Sequence, residues 1–275
     1  ERVLACVDRY LEVLARYDTP EHPVRRLIAM ATSASRDAAN GPEFAARLAE
    51  RGVTLAVIPG SREAQLTFLG ASSDFPGENL LVVDIGGGST EVVAGRFGED
   101  PIASHSFNIG CRRVTERFFR DDPPTAGQMD AARQWIRETM APYFEGLATA
   151  GFAIDRVVAV AGTATSVVAG HERMAEYDSS RVHRSVVERA VLNEVYAQLA
   201  SVGLDERRRT AGLDAIAGDG PEFKVLTPVF MERFAHSVGQ SAASGKNTAE
   251  IGCIVKHILV KCFQIKVTAV KECLQ

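Results

Sequence analysis

The sequence predicts an α/β protein, because short apolar runs typical of buried strands alternate with segments of helical periodicity. Apolar residues at helical spacing predict an opening amphipathic helix, at Val3, Leu4, Val7, Leu11 and Leu14. Strands are predicted over residues 26–32, 53–58, 80–85, 90–95, 102–107 and 156–160. Helices are predicted over residues 42–51, 62–70, 110–120, 125–149, 184–201 and 205–212. The glycine run between the third and fourth strands predicts a β-hairpin with a glycine-rich tip.

Three segments are predicted from turn residues and composition. The polar stretch 72–79, which contains Pro76 and Gly77, marks a connector between residues 1–77 and residues 78–217. Residues 218–275 contain all six lysines of the chain, whereas 24 arginines and no lysine precede them. This change predicts a tail of separate origin, with a lysine-rich terminal domain as the alternative.

Composition excludes several classes of partner. The formal net charge is −4, so no basic surface indicates nucleic acid or anionic lipid as a ligand. No uncharged apolar run is long enough to span a bilayer, and a membrane partner is therefore not expected. The five cysteines form no CxxC pair, which is typical of a reduced protein and predicts a cytoplasmic location.

The strongest motif is DIGGGSTE at residues 84–91, where a predicted buried strand runs into three glycines. Glycine lets the backbone approach an anion closely, and hydroxyl groups add donors. We therefore expect phosphate contacts from Gly86, Gly87, Gly88, Ser89 and Thr90. Asp84 is placed to hold hydrated Mg²⁺, and Glu91 supplies a second carboxylate beyond the loop. The structural alternative is a tight hairpin turn with a capping serine.

Three weaker patterns complete the candidate site. Glu63 follows a tight turn at the start of a helix, where a solvated capping residue is the alternative. Arg36 follows a strand and a run of hydroxyl residues; it is a candidate for bidentate phosphate binding or for a surface ion pair. Gly162 and Thr163 lie in a strand-to-helix turn suited to phosphate, although many α/β proteins use such turns only for packing.

Together these segments resemble the family of exopolyphosphatases and guanosine pentaphosphate phosphohydrolases. The motifs that carry the resemblance are ATSASRDAAN at 31–40, the turn with Glu63, DIGGGSTE at 84–91, NIGCRRVTERF at 108–118 and AGTATS at 161–166. They occur in the family's order and cover most of residues 1–217. The resemblance implies an actin-like fold of two ribonuclease-H-like domains.

The resemblance also implies roles for the motif residues. Glu63 matches the glutamate proposed as general base, and Asp84 and Glu91 match carboxylates that organise metal and water. The implied substrate is inorganic polyphosphate or guanosine pentaphosphate, hydrolysed at its terminal phosphate with Mg²⁺ as cofactor. The family's first phosphate loop, of the form DxGxNS, has no match here, so we expect a first domain truncated at its N-terminus.

Two other functions remain open from the residues alone. An actin-like small-molecule kinase shares glycine-rich phosphate hairpins, although the turn with Glu63 does not suit a kinase base. A non-catalytic protein that binds polyphosphate or an alarmone is the third hypothesis. The assembly state is open, with a homodimer among the expected forms.

Overall fold

The computed structural model describes residues 1–24, 27–209, 251–254 and 266–268. Its helices are α1 Arg2–Tyr17, α2 Ser33–Asp37, α3 Gly41–Ala49, α4 Gly60–Ser72, α5 Cys111–Phe118, α6 Ala126–Thr149, α7 Ala161–His171, α8 Ser179–Val182, α9 Arg189–Ser201 and α10 Leu204–Arg208. Its strands are β1 Ile28–Ala31, β2 Leu55–Val57, β3 Asn79–Ile85, β4 Thr90–Arg96, β5 Ala103–Phe107, β6 Arg156–Val160, β7 Ser185–Val187, β8 Ile251–Ile254 and β9 Lys266–Thr268.

The chain divides into two compact units. Unit 1 comprises Glu1–Pro59 together with β9, and unit 2 comprises Gly60–Lys256. The connector predicted at 72–79 therefore lies inside unit 2, because α4 packs on the sheet of that unit instead of belonging with the residues before it. Among the described helices, none combines the length and apolarity that crossing a membrane requires.

Unit 1 is built on a small three-stranded sheet. Strand β1 pairs in parallel with β2 and antiparallel with β9. A small buried cluster joins α1 and α3 to this sheet through Leu4, Val7, Ala29, Leu48 and Val53. The apolar spacing predicted for the opening helix is thus explained, since Leu4 and Val7 turn toward the core.

Unit 2 is built on a six-stranded sheet of order β5-β4-β3-β6-β8-β7. Strands β3, β4 and β5 form an antiparallel meander, whereas β6 pairs in parallel with both β3 and β8. The predicted hairpin of β3 and β4 is confirmed. Strand β8 comes from the segment predicted as a separate tail, and it supplies the strand next to β6.

Both faces of this sheet are covered by helices, which explains the continuous apolar runs of β3 and β6. Alternate residues of β3 point to opposite faces, so Leu81 and Val83 join a large core with α5, α6, α7 and α9. Leu80 and Val82 join a smaller core with α4. Helix α4 therefore lies on the opposite face from α5, α6, α7 and α9, and strand periodicity sets the β3 residues that contact it.

One predicted element is wrong. The helix predicted over 184–201 begins only at Arg189, because Ser185–Val187 forms β7 and pairs antiparallel with β8. Val186 and Val187 are β-branched and accept a strand conformation readily when a partner strand is present. That partner lies more than sixty residues later in the chain, so local periodicity could not reveal it.

Candidate active site

The register of the β3–β4 hairpin brings two predicted carboxylates together. Asp84 lies directly opposite Glu91, and Val82 lies directly opposite Val93. Val82 and Val93 pack in the core beneath α4. Since side chains two residues apart share a face, Asp84 and Glu91 point to the same side as α4. Both are buried, with 3% and 2% of their surface exposed.

Helix α4 places a third carboxylate on that face. Glu63 lies in its first turn and is 3% exposed. Thr67 follows one turn later, and its hydroxyl donates to Oδ2 of Asp84 at 3.4 Å. Residues four apart share a helix face, so Glu63 lies on the side that meets Asp84. On β5, the Ser106 hydroxyl donates to Oε1 of Glu91 at 2.8 Å.

The clustering of negative charge changes the chemistry of Glu91. Burial, followed by the charges of Asp84 and Glu63, raises the pKa of Glu91 from 4.5 to about 7. Hydrogen bonds from Ser106 and Ser89 oppose this rise, because they stabilise the ionised carboxylate. The charges of Asp84 and Glu63 both contribute to this rise, and the three buried carboxylates share the sheet face that α4 covers.

The start of α5 supports the glycine loop at residues 86–89 through backbone hydrogen bonds. The backbone N–H of Cys111 donates to the Gly86 carbonyl at 3.0 Å. The N–H groups of Arg112 and Arg113 donate to the Gly87 carbonyl at 3.0 and 3.3 Å. These donors are first-turn N–H groups that have no partner within the helix. The loop therefore satisfies the helix end, and the helix fixes two loop peptides.

The orientation of those peptides follows from their planarity. In a trans peptide the C=O and the next N–H point in opposite directions. The Gly86 and Gly87 carbonyls point toward α5, so the N–H groups of Gly87 and Gly88 point away from it. Helix α5 packs in the core on the opposite sheet face from α4. The loop can thus present N–H donors to an anion without interference from α5.

The predicted turn after β6 adjoins this loop. Strands β3 and β6 are parallel, so their carboxyl ends lie at the same edge of the sheet. The Thr163 hydroxyl donates to the Ile85 carbonyl at 2.9 Å and ties the start of α7 to the end of β3. Ala161 has a positive φ of 69°, and a Cβ added at Gly162 would meet no atom within 4 Å. The hydrogen bond from Thr163 to Ile85 therefore makes neighbours of two predicted phosphate segments, the glycine loop and the turn at 161–166.

Three predicted phosphate-binding hydroxyls have other partners, and that of Ser89 bonds the Glu91 carboxylate. Thr90 is fully buried and donates to the Ile109 carbonyl at 2.6 Å. Thr163 donates to Ile85. A hydroxyl has one proton to donate, so none of these three side chains retains a donor for phosphate. Both threonine hydroxyls fix the backbone around the loop, and phosphate binding by these residues stays a prediction.

Arg36 lies in unit 1, on α2. Its Nη1 donates to the Ile58 carbonyl at 2.7 Å. This contact joins α2 to the end of β2, within the same unit. Phosphate binding by Arg36 stays a prediction.

The donor set fits a hydrated divalent cation. Mg²⁺ prefers oxygen ligands and is commonly held by one or two carboxylates, with water and substrate phosphates completing its shell. Asp84 and Glu91 are paired and buried, and their mutual repulsion is part of what raises the pKa of Glu91. Among the described residues, no three or more His, Cys, Asp or Glu side chains form a ready-made metal cage. Such a cage is not required where phosphate and water supply ligands.

Sequence reasoning missed three contributors to this site: Thr67, Ser106 and the first turn of α5. Thr67 could have been found from its position four residues after Glu63 on a predicted helix. Ser106 required the β4–β5 register, in which it lies opposite Glu91. The segment 108–118 is a motif in the sequence, but its contact with the glycine loop is visible only in the fold.

Comparison with known proteins supports a single family. Exopolyphosphatase 2 of Mycobacterium tuberculosis (strain ATCC 25618 / H37Rv) is 38% identical over 199 residues, covering 69% of this chain and 60% of that protein. The guanosine-5'-triphosphate,3'-diphosphate pyrophosphatase of Photobacterium profundum is 36% identical over 143 residues, covering 51% of this chain and 28% of that protein. This chain therefore spans 60% or less of the length of these two relatives.

A solved structure extends the comparison to the fold. The crystal structure of an exopolyphosphatase-like protein matches with a TM-score of 0.77 and 32% identity, covering 92% of this chain and 79% of that one. This likeness confirms the predicted α/β class and shows that the chain shares the fold of that exopolyphosphatase-like protein. The sequence profile described as the Ppx/GppA phosphatase family matches residues 1–215. Because that match covers most of the 275 residues, this chain belongs to the Ppx/GppA phosphatase family.

Proposed function

We propose that this chain is a phosphoanhydride hydrolase that removes the terminal phosphate from inorganic polyphosphate. One observation carries the proposal: three buried carboxylates converge beside a glycine loop whose N–H groups are turned away from their supporting helix. Anion donors next to metal-binding carboxylates and a candidate base are the parts that phosphoryl transfer to water requires.

The loop would bind the terminal phosphate through the N–H groups of Gly87 and Gly88. Glu63 would orient a water molecule and take its proton as the water oxygen bonds to phosphorus. The bridging P–O bond breaks, and a polyphosphate shorter by one unit leaves. Thr67 donates a hydrogen bond to Asp84, and this bond links the first turns of α4, which carry Glu63, to the carboxylate on β3.

We propose Asp84 and Glu91 as the residues that hold Mg²⁺. When bound, Mg²⁺ would neutralise charge on the phosphate oxygens, as it does in phosphoryl transfer generally. Ser106 and Ser89 both bond the Glu91 carboxylate and hold it in place. The interaction of Glu91 with two other carboxylates supports this proposal, since a cation relieves their repulsion.

We propose polyphosphate as the substrate in preference to guanosine pentaphosphate. Of the two relatives described, the exopolyphosphatase matches 199 residues and the guanosine pentaphosphate enzyme matches 143. A reducing, cytoplasmic location is also proposed, supported by five cysteines that form no CxxC pair.

The test is phosphate release from polyphosphate with Mg²⁺, compared between this chain and Glu63→Gln. General-base catalysis contributes about 10²–10⁴-fold, so we expect a loss of that size with polyphosphate binding retained. Glu43→Gln is the matched control, because Glu43 also lies in a first helical turn but is exposed. Guanosine pentaphosphate is assayed in parallel to rank the substrates.

Two outcomes would contradict the proposal. Equal losses in Glu63→Gln and Glu43→Gln would remove Glu63 from the mechanism. Tight polyphosphate binding with no release, in a folded chain, would indicate a non-catalytic binding protein.

A further inference from the structure

We propose that Gly110 and Arg113 are positioning residues for phosphate binding. These two residues hold the glycine loop in the orientation that presents its N–H groups to phosphate. This inference rests on the proposed function, because it concerns the same phosphate site. It adds that the site's geometry is set by α5, a helix on the far side of the loop.

Gly110 permits the close approach of α5 to the loop. It is the residue immediately before α5, and a Cβ added there would lie 2.3 Å from the Gly87 oxygen and 2.5 Å from the Gly88 nitrogen. Both atoms belong to the backbone and cannot move aside as a flexible side chain would. Any residue larger than glycine must therefore displace the loop or the helix.

Arg113 extends the support to a third loop peptide. Its Nε donates to the Gly88 carbonyl at 3.0 Å, beside the backbone bonds that fix the Gly86 and Gly87 carbonyls. A charged donor makes this a stronger hydrogen bond than a neutral one. The guanidinium thus binds the carbonyl of Gly88, the last glycine of the loop, whereas the backbone N–H groups of α5 bind those of Gly86 and Gly87.

Three consecutive carbonyls, those of Gly86, Gly87 and Gly88, thus point toward α5. By peptide planarity the N–H groups of Gly87, Gly88 and Ser89 all point away from it. Successive N–H groups directed to one side form the concave anion site known from other phosphate loops. Hydrogen bonding at each carbonyl also polarises the peptide and strengthens the donor at its other end.

The proposal separates α5 from the metal-binding carboxylates. Gly110 and Arg113 act on the loop, whereas Asp84 and Glu91 lie on the face covered by α4. A defect in either positioning residue should weaken phosphate binding and, at saturating polyphosphate, leave the Mg²⁺ requirement unchanged. General unfolding would change both, so the pair of measurements distinguishes positioning from structural support.

The experiment compares Arg113→Ala with Arg120→Ala in the full chain. Arg120 lies just beyond the other end of α5 and is exposed, so its loss changes the charge equally without touching the loop. Loss of one charged hydrogen bond corresponds to about a tenfold change, so KM for polyphosphate should rise about tenfold in Arg113→Ala. At saturating polyphosphate, the Mg²⁺ concentration for half-maximal rate should stay near that of Arg120→Ala, and so should the unfolding temperature.

Gly110→Ala is the second variant, and it leaves the charge unchanged. Displacement of a binding loop by about 1 Å can cost about 10²-fold, so kcat/KM should fall by that order. Its control is Gly127→Ala on α6, where an added Cβ meets nothing within 4 Å. Folding of each variant is verified by circular dichroism. If Gly110→Ala does not fold, the Arg113→Ala comparison decides the question.

Thermal stabilisation by inorganic phosphate provides a readout that does not depend on turnover. The original chain should be stabilised by phosphate, and Arg113→Ala should lose most of that stabilisation. Equal KM values and equal stabilisation in Arg113→Ala and Arg120→Ala would overturn this inference while leaving the hydrolase intact. A chain that neither hydrolyses polyphosphate nor responds to phosphate would overturn the proposed function itself.

Discussion

Replacing Glu91 with glutamine should stabilise the metal-free protein at high pH and have little effect at low pH. The pKa of Glu91 is raised from 4.5 to about 7, so the folded protein keeps a proton that the unfolded chain releases between these values. Stability from this group is therefore fully present below pH 4.5 and is lost as the pH rises through 7. Glutamine has the same shape and no charge to bury.

The magnitude follows from the two pKa values. Each pKa unit corresponds to about 1.4 kcal/mol, so an ionised Glu91 costs about 3 kcal/mol at pH 8 and less than about 1 kcal/mol at pH 5. For a unit of this size, about 3 kcal/mol corresponds to a rise of roughly 6–12 °C in the unfolding temperature. Burial of Glu91 to 2% exposure means that solvent does not screen this cost.

The assay is thermal and urea unfolding of both proteins in EDTA at pH 5 and pH 8. Glu99→Gln is the control, because Glu99 is exposed and its ion pair with Arg96 at 3.8 Å contributes little. An equal gain for Glu91→Gln at both pH values would refute the reasoning, since the gain would then come from packing. Added Mg²⁺ should stabilise the original protein at pH 8 and have little effect on Glu91→Gln.

Two further predictions concern the backbone and the core. Ala161→Gly should be neutral or stabilising, because the φ of 69° at Ala161 costs about 1–2 kcal/mol for alanine and little for glycine. Ala131→Gly, at an exposed position in the second turn of α6, should instead cost about 1 kcal/mol. Urea unfolding distinguishes them, and equal losses would show that the turn is not strained. Leu81→Ala should cost about 2–5 kcal/mol because Leu81 is fully buried in the sheet core, and Leu69→Ala should change stability by less than about 0.5 kcal/mol because Leu69 is 60% exposed. Similar effects in the two leucine variants, measured by the same unfolding, would contradict the assigned core.

Local patterns were sufficient for most elements around the site. Strand β6 was predicted at its observed bounds, and β3 and β4 were predicted within one residue, because their apolar runs end at glycine or at a turn. Helix α6 was predicted within one residue of its observed start, where the structure shows that Thr125 and Gln128 form a capping box. Strand β7 was not predicted, since its partner β8 lies far away in the sequence.

In the candidate site, too, some features could be predicted from the sequence and others could not. The types and order of Glu63, Asp84, Glu91 and the glycine loop are sequence properties, and they are sufficient to indicate a phosphate site. The hydrogen-bond partners of Thr90 and Thr163 are not sequence properties, because a hydroxyl donates to whichever carbonyl the fold brings near. Only the structure showed that both protons are donated to the backbone.

The sequence by itself determined the chemical groups, the strand faces on which they lie and the loop that could cradle an anion. These depend on side-chain type and on the two-residue period of a strand. Tertiary structure decided which groups are buried together and what supports the loop from behind. Burial and two nearby carboxylates raise the pKa of Glu91, and α5 turns the loop N–H groups outward. Both effects arise from contacts between residues distant in the chain, which no local pattern encodes.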